Sequence, residues 1–91
     1  MLLQWSQSAC RDRLSIIEYI ARDNPAAARS VSTAFRDAAY GLLNFPHKGK
    51  VGRVAGTREL VVHKHYLLVY TCSPDAICIV AVLHTSRQYP V

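Results

Sequence analysis

The sequence predicts an α+β fold, ordered β-α-α-β-β-β, in which an N-terminal helical hairpin lies on one face of a four-stranded, mainly antiparallel sheet. Three observations predict it. Apolar residues recur at helical spacing through two segments of the first half. Asp23, Asn24 and Pro25 break those segments apart. The second half carries three β-rich stretches whose gaps are too short for a helical crossover. With 91 residues, 51% hydrophobic and 19% charged, the chain has the composition of one folded domain, residues 1–91, and not of a disordered tail.

The elements follow in chain order. Leu2, Leu3, Gln4 and Trp5 form a short apolar opening that is expected to pair at a sheet edge. Ser6 and Ser8 offer N-cap oxygens for a first helix. Cys10, Leu14, Ile17 and Ala21 then fall at spacings of four, three and four, with Ile16 and Ile20 beside them, which predicts a buried stripe. Arg11, Asp12, Glu18 and Arg22 lie off it. Asn24 is placed to cap a second helix and Pro25 to begin it, because the first helical position needs no N–H partner. That helix is expected from residue 25 to about 43, with Ala27, Val31, Phe35, Ala38 and Leu42 on its apolar face and Ala26 to Ala28 allowing close approach to the first. The short connection makes the pair an antiparallel hairpin.

From Asn44 to Gly56, Pro46, Gly49, Gly52 and Gly56 punctuate a stretch that reads as a basic, flexible loop. Strands are expected at residues 57–62, 66–72 and 77–83, joined as an antiparallel meander. The last is apolar at every position, which predicts a central strand covered on both faces.

Composition also bounds function. The formal net charge is +5, and it is uneven. Residues 1–45 hold five basic and four acidic groups, residues 46–91 six and two, and all four histidines lie in the second part. That half is the expected face toward an anionic partner, nucleic acid or acidic protein. No apolar run approaches the roughly 18 residues that span a bilayer, and Met1 to Gln4 lacks the charged start and long apolar stretch of a signal peptide. A cytoplasmic protein without a membrane partner is expected. Cys10, Cys72 and Cys78 are read as free thiols, although Cys72 and Cys78 flank a turn across which they could approach.

Several residues could carry chemistry. Lys48, Lys50 and Arg53, with the glycines around them, are a candidate anion-binding loop, and Lys64 adds a further cation, but the nucleotide-loop spacing is missing and ATP binding is not expected. On the strand that begins the meander, alternation puts Arg58 on one face with Leu60 and Val62, and Glu59 on the other. An arginine among apolar neighbours asks for a carboxylate, phosphate or carbonyl. Arg87, just past the last strand, is expected to meet Arg58 over the sheet face left bare by the helices, so that two guanidinium groups clamp a phosphate or a developing phosphorane. His63 and His65, with His84 or His47, match no metal-ligand spacing and lack a carboxylate or thiolate partner, so no metal and no cofactor is expected. His84 reads as an acid–base group kept neutral by burial and neighbouring arginines, or as a structural core histidine. Tyr66 and Tyr70 share a strand face as core residues, and Tyr89 is either a base-stacking ring or a latch for the C-terminus.

The stretches Gly56-Thr57-Arg58-Glu59-Leu60-Val61-Val62, Tyr66-Leu67-Leu68-Val69-Tyr70 and Val82-Leu83-His84-Thr85-Ser86-Arg87-Gln88-Tyr89-Pro90, with Tyr19 to Pro25 and Ala27-Ala28, resemble the RelE/ParE superfamily of bacterial toxins from type II toxin-antitoxin systems. The resemblance implies the fold stated above, a cytoplasmic toxin, and a cognate antitoxin that neutralises it in a toxin–antitoxin hetero-oligomer. RelE-like members cut mRNA on the ribosome without a metal, and ParE-like members poison DNA gyrase. By this likeness Arg58 and Arg87 match basic positions of the nuclease members, and Glu59, His84 or Tyr89 would move protons, which makes Arg58, Arg87, His84 and Tyr89 the catalytic candidates. A further strand arginine of the nucleases falls on Leu67. Its absence tilts the expectation toward a ParE-like gyrase poison, with the mRNA endonuclease as the alternative and a non-toxic basic nucleic-acid-binding module as the third reading. Whether the chain is an enzyme turns on that choice.

Overall fold

The computed structural model describes residues 1–90. It contains β1 (Leu2–Trp5), α1 (Gln7–Ala21), α2 (Pro25–Gly41), β2 (Lys50–Val51), β3 (Arg58–His63), β4 (Tyr66–Cys72) and β5 (Ala76–His84). The strands form one sheet in the order β1-β5-β4-β3-β2. β1 lies at one edge, as expected, and runs parallel to β5, with Leu2 opposite Ala76 and Trp5 opposite Ile79. The other pairings are antiparallel. The sheet has five strands where four were expected. The extra one arises inside the basic loop, where Lys50 and Val51 pair with Glu59 and Arg58, so that loop is partly ordered by the β3 edge.

Both helices begin as their sequences dictate. Ser6 accepts a hydrogen bond from the Ala9 N–H at 3.0 Å, and its hydroxyl donates to the Val80 carbonyl at 3.3 Å, so the same cap pins α1 to β5. Asn24 accepts from the Ala27 N–H at 3.0 Å, with Pro25 as the first helical residue.

The buried row of α1 differs from the predicted one. Ala9 is buried, and Ile16, Ile17 and Ile20 pack on the core, while Cys10 and Leu14 face solvent. The reason is Asp12, whose carboxylate accepts from the Val82 N–H at 3.1 Å. β1 covers β5 only as far as Ile79, and Asp12 satisfies a backbone donor on the edge beyond. An acidic residue therefore stands in the sheet-facing row Ala9, Asp12, Ile16 and Ile20.

The core between helices and sheet is built from Val31, Phe35, Ala39 and Leu42 against Leu68, Tyr70, Ile77, Ile79 and Val82. Phe35 meets Tyr66 edge-on, with ring centroids 5.8 Å apart. On the opposite face Leu67, Val69, Ala81 and Leu83 form a second buried cluster, covered in part by Tyr89. β5 thus lies inside the sheet with apolar groups on both faces, helped by a register shift that leaves Val80 as an extra residue between the Ile79–Tyr70 and Ala81–Val69 pairs. Cys72 stands opposite Ile77 and Cys78 opposite Thr71, on alternate faces, so the two thiols do not approach and remain free.

Candidate functional site

The loop after α2 is organised by one phenol. Tyr70 is fully buried in β4, and its hydroxyl donates to the Pro46 carbonyl at 2.7 Å while accepting the Gly49 N–H at 3.0 Å. Gly49 is required by this approach. A Cβ there would lie 2.8 Å from the Tyr70 ring and hydroxyl and 2.9 Å from the Glu59 carbonyl. The Gly49 carbonyl in turn accepts from the Arg58 guanidinium at 2.8 Å. Arg58, Gly49, Tyr70 and Pro46 therefore make one network in which a core residue fixes the entry to the basic loop.

Beyond Val51 the loop folds back on the sheet. Arg53 grips Glu59 through both carboxylate oxygens, Nε to Oε2 at 2.9 Å and a terminal nitrogen to Oε1 at 3.0 Å, and the Arg53 N–H adds a third bond at 3.0 Å. Glu59 is only 3% exposed, which makes it the one buried charged residue among those described. The side-chain bonds from Arg53 hold the Glu59 carboxyl below the usual carboxylate range against the opposing cost of burial, and the same bonds raise the affinity of Arg53 for its proton. Of the cations expected to meet an anionic target, Arg53 is thus neutralised. Lys48, Lys50 and Lys64 stand exposed, with no carboxylate partner among the described residues.

Arg58 and Arg87 do not converge. Strand alternation puts Arg58 with Leu60 and Val62, as expected, but that is the face beneath the helices, and the face left bare receives Glu59 instead. Arg58 lines a cavity of about 230 Å³ with His47, Val51, Gly56, Thr57 and Cys72. Arg87 lines another of about 220 Å³ with Asp12, Ser15, Ile16, Val82 and His84. Arg58 stands opposite Tyr70, whose β5 partner is Ile79, whereas His84 stands opposite Tyr66 at the far end of β4. The two guanidinium groups line separate cavities with no lining residue in common, and Arg58 is held on the helix side by the Gly49 carbonyl, so the expected phosphate clamp is not formed.

His84 does share a cavity with Arg87, but it is exposed where burial was expected, because β5 ends there. Its Nδ1 accepts from the Ser86 N–H at 3.1 Å and lies 2.7 Å from the Ser86 hydroxyl. Its ring stacks on His65, with centroids 5.6 Å apart and planes 10° from parallel, and meets Tyr66 edge-on at 5.5 Å. His63 is 6.1 Å from His65, and no group of three or more side chains among the described residues is arranged to hold a metal ion. His47 lies apart from these, beside Arg58 and Cys72. Tyr89 is half-buried on Leu67, Val69, Ala81 and Leu83, the arrangement of a latch.

Two surfaces were not read from the sequence. A groove of about 390 Å³ is lined by Trp5, Cys10, Arg13, Leu14, Ile17 and Ser32, and in it the Arg13 guanidinium lies 4.8 Å above the Trp5 ring and donates to the Ser32 carbonyl at 3.0 Å. The signal was present, since Cys10 and Leu14 are apolar residues that the sheet leaves uncovered. A wider cleft of about 640 Å³ follows Asn44 to Lys48, where Phe45 is 68% exposed. Chemically, the surface offers apolar clefts rimmed by cations and one small His84–Arg87 corner.

Comparison with known proteins adds the following. Residues 3–89 match the family described as the ParE toxin of the type II toxin-antitoxin system, parDE. The chain is 35% identical over 89 residues to the putative toxin Y4kP of Sinorhizobium fredii, covering 97% of this chain and 92% of that protein. It is 31% identical over 83 residues to toxin RelE2 of Caulobacter vibrioides, covering 91% and 93% respectively. Among solved structures it resembles the chromosomal ParDE toxin–antitoxin system from P. aeruginosa with a TM-score of 0.81, at 18% identity over 92% of this chain and 95% of that one.

Proposed function

The chain belongs to the ParE toxin family of type II toxin-antitoxin systems, and from that membership we propose that it arrests growth by binding a protein target, DNA gyrase, in the cytoplasm. The observation that carries this reading is the separation of Arg58 from Arg87. Cutting RNA without a metal requires a base, an acid and cations gathered around one phosphate. Here Arg53 is spent on Glu59, and Arg58 is tied to the Gly49 carbonyl. Leu67, where the likeness to nuclease members would place an arginine, is 4% exposed within an apolar cluster. Exposed apolar clefts rimmed by Arg13 and Lys48 suit a protein surface better than a scissile phosphate. The same basic rims suit the acidic segment of a cognate antitoxin, which would neutralise the toxin in a hetero-oligomer.

A second reading has one observation in its favour. His84 and Arg87 share a cavity, and a ribosome-dependent mRNA endonuclease would use the first for proton transfer and the second for charge stabilisation. Purified protein assayed in parallel for gyrase supercoiling and for cleavage of ribosome-bound mRNA separates the two. Supercoiling is expected to be blocked and the mRNA to stay intact. Cut mRNA with unaffected gyrase would reverse the assignment, and normal growth on induced expression would reject a toxin of either kind.

A further inference from the structure

Arg58 is held by a backbone carbonyl and by no carboxylate among the described residues, whereas Arg53 finds Glu59 and Arg36 finds Asp37. Its Nη1 donates to the Gly49 carbonyl at 2.8 Å, which orients the guanidinium through the same network that Tyr70 anchors. The other edge of the group, Nε with Nη2, has no acceptor among the described residues, and neither nitrogen is sealed from solvent. A guanidinium fixed in place with its two-point edge open is a receptor for a planar oxyanion.

The surroundings decide which oxyanion. The cavity of about 230 Å³ at Arg58 is smaller than the about 300–1,000 Å³ of small-molecule sites, so it suits one side chain and not a nucleotide or cofactor. It shares His47 and Cys72 with a depression of about 320 Å³ that takes in Met1, Pro46 and Pro74. That depression shares Pro46 and His47 with the cleft of Phe45 and Lys48. The three make one trough, with Arg58 toward one end and Phe45 toward the other. Its apolar walls are open, since Phe45 is 68% and Val51 75% exposed. Among the described residues, no aspartate or glutamate lines any part of it, while Lys48, His47 and Arg58 do.

A nucleic acid carries a charge at every nucleotide and calls for a row of cations. Here one half-buried guanidinium lies among apolar groups, which calls for one carboxylate carried between apolar side chains. Partial burial makes such a pair stronger than one on the open surface. The net charge of +5 speaks against a second copy of this chain as the occupant.

We propose that this trough is a peptide-docking site, in which a segment of a protein partner sets one aspartate or glutamate on the Nε–Nη2 edge of Arg58 and lays apolar side chains along Val51, Pro46 and Phe45. The proposal rests on the reading that the chain acts through protein partners, and it adds the residue that reads a partner's acid. Gly49 belongs to the site, because its carbonyl aims Arg58 and its missing Cβ lets Tyr70 hold the loop.

The probe is a displayed library of random peptides selected on the full chain, which is expected to converge on sequences with one acidic residue between apolar ones. The best of them, synthesised with blocked ends, should shift the Arg58 Nε–H signal in NMR. Changing its acidic residue to the matching amide leaves the protein untouched and should weaken binding by about tenfold to a hundredfold, the range of a charged hydrogen-bonded contact. Arg58→Lys keeps the charge without the fork and should cut that acid-to-amide ratio to about fivefold or less, with the Gly49 amide still protected from exchange. A library that yields no binder, a selection without acidic preference, equal binding of acid and amide, or a peptide that leaves the Arg58 signal unmoved would overturn the proposal. A single-stranded oligonucleotide that moves that signal and displaces the peptide would overturn it in favour of nucleic acid. Docking at Arg58 together with cut mRNA would reject gyrase as the target and keep this site, and blocked supercoiling without docking would do the reverse.

Discussion

Replacing Tyr70 by Phe removes a single oxygen and strands two backbone groups. The hydroxyl accepts the Gly49 N–H at 3.0 Å and donates to the Pro46 carbonyl at 2.7 Å, and both Tyr70 and Gly49 are buried. Each hydrogen bond contributes about 1 kcal/mol net, and a buried donor left without a partner costs about 1–3 kcal/mol. The Pro46 carbonyl is only half-buried and can recruit water, so the larger penalty falls on Gly49. Together these give a loss of about 2–4 kcal/mol. For a domain of this size each 1 kcal/mol moves the midpoint by about 4–8 °C, so the midpoint of thermal unfolding followed by far-ultraviolet circular dichroism should drop by roughly 8–32 °C. Amide exchange at Gly49 should lose its protection in parallel, because the bond that shields that N–H is gone. A midpoint lowered by less than about 3 °C, with the Gly49 amide still protected, would refute the reasoning.

Two further substitutions test the electrostatics. Because Arg53 holds the Glu59 carboxyl below its unfolded range, the pair stabilises the fold at and above about pH 4–5, and that contribution fades as pH falls through the lower folded value. Glu59→Gln should therefore be less stable at neutral pH and show a flatter dependence of urea stability between about pH 5 and about pH 2; slopes equal to those of the wild type would exclude the pair as their source. Asp12→Ala strips the Val82 N–H of its partner and should cost about 1–3 kcal/mol in urea unfolding, whereas Asp12→Asn, which keeps an acceptor oxygen, should lose much less. Equal losses in the two variants would assign the effect to the charge of Asp12.

The fold was legible where residues act locally. Asn24-Pro25 announces its own helix start, and stretches with gaps as short as His63-Lys64-His65 can only pair antiparallel. What escaped depended on partners distant in the chain. Asp12 sits in the buried row of α1 because Val82, 70 residues away, has a backbone donor on an uncovered strand edge. Lys50 and Val51 become a strand because β3 offers an unpaired edge, which glycine-rich composition conceals. At the candidate site, alternation correctly grouped Arg58 with Leu60 and Val62. That apolar company already pointed to the side beneath the helices, so Glu59 had to take the other, where the folded-back loop brings Arg53 against it. The positions of His84 and Tyr89 follow from where β5 ends and how the tail turns, which no local spacing encodes.

The parallel pairing of β1 with β5 has a consequence for how the molecule comes into being. Ser6, at the end of β1, hydrogen-bonds Val80 across a separation of 74 positions. A nascent chain releases β1 and both helices long before β5 exists, and helices form quickly from local contacts whereas distant strand pairings are slow. Until β5 has been synthesised, β1 lacks its neighbour and the apolar side of the hairpin lacks a floor. A half-made chain is therefore a pair of helices whose apolar face has nothing to pack on until β5 emerges.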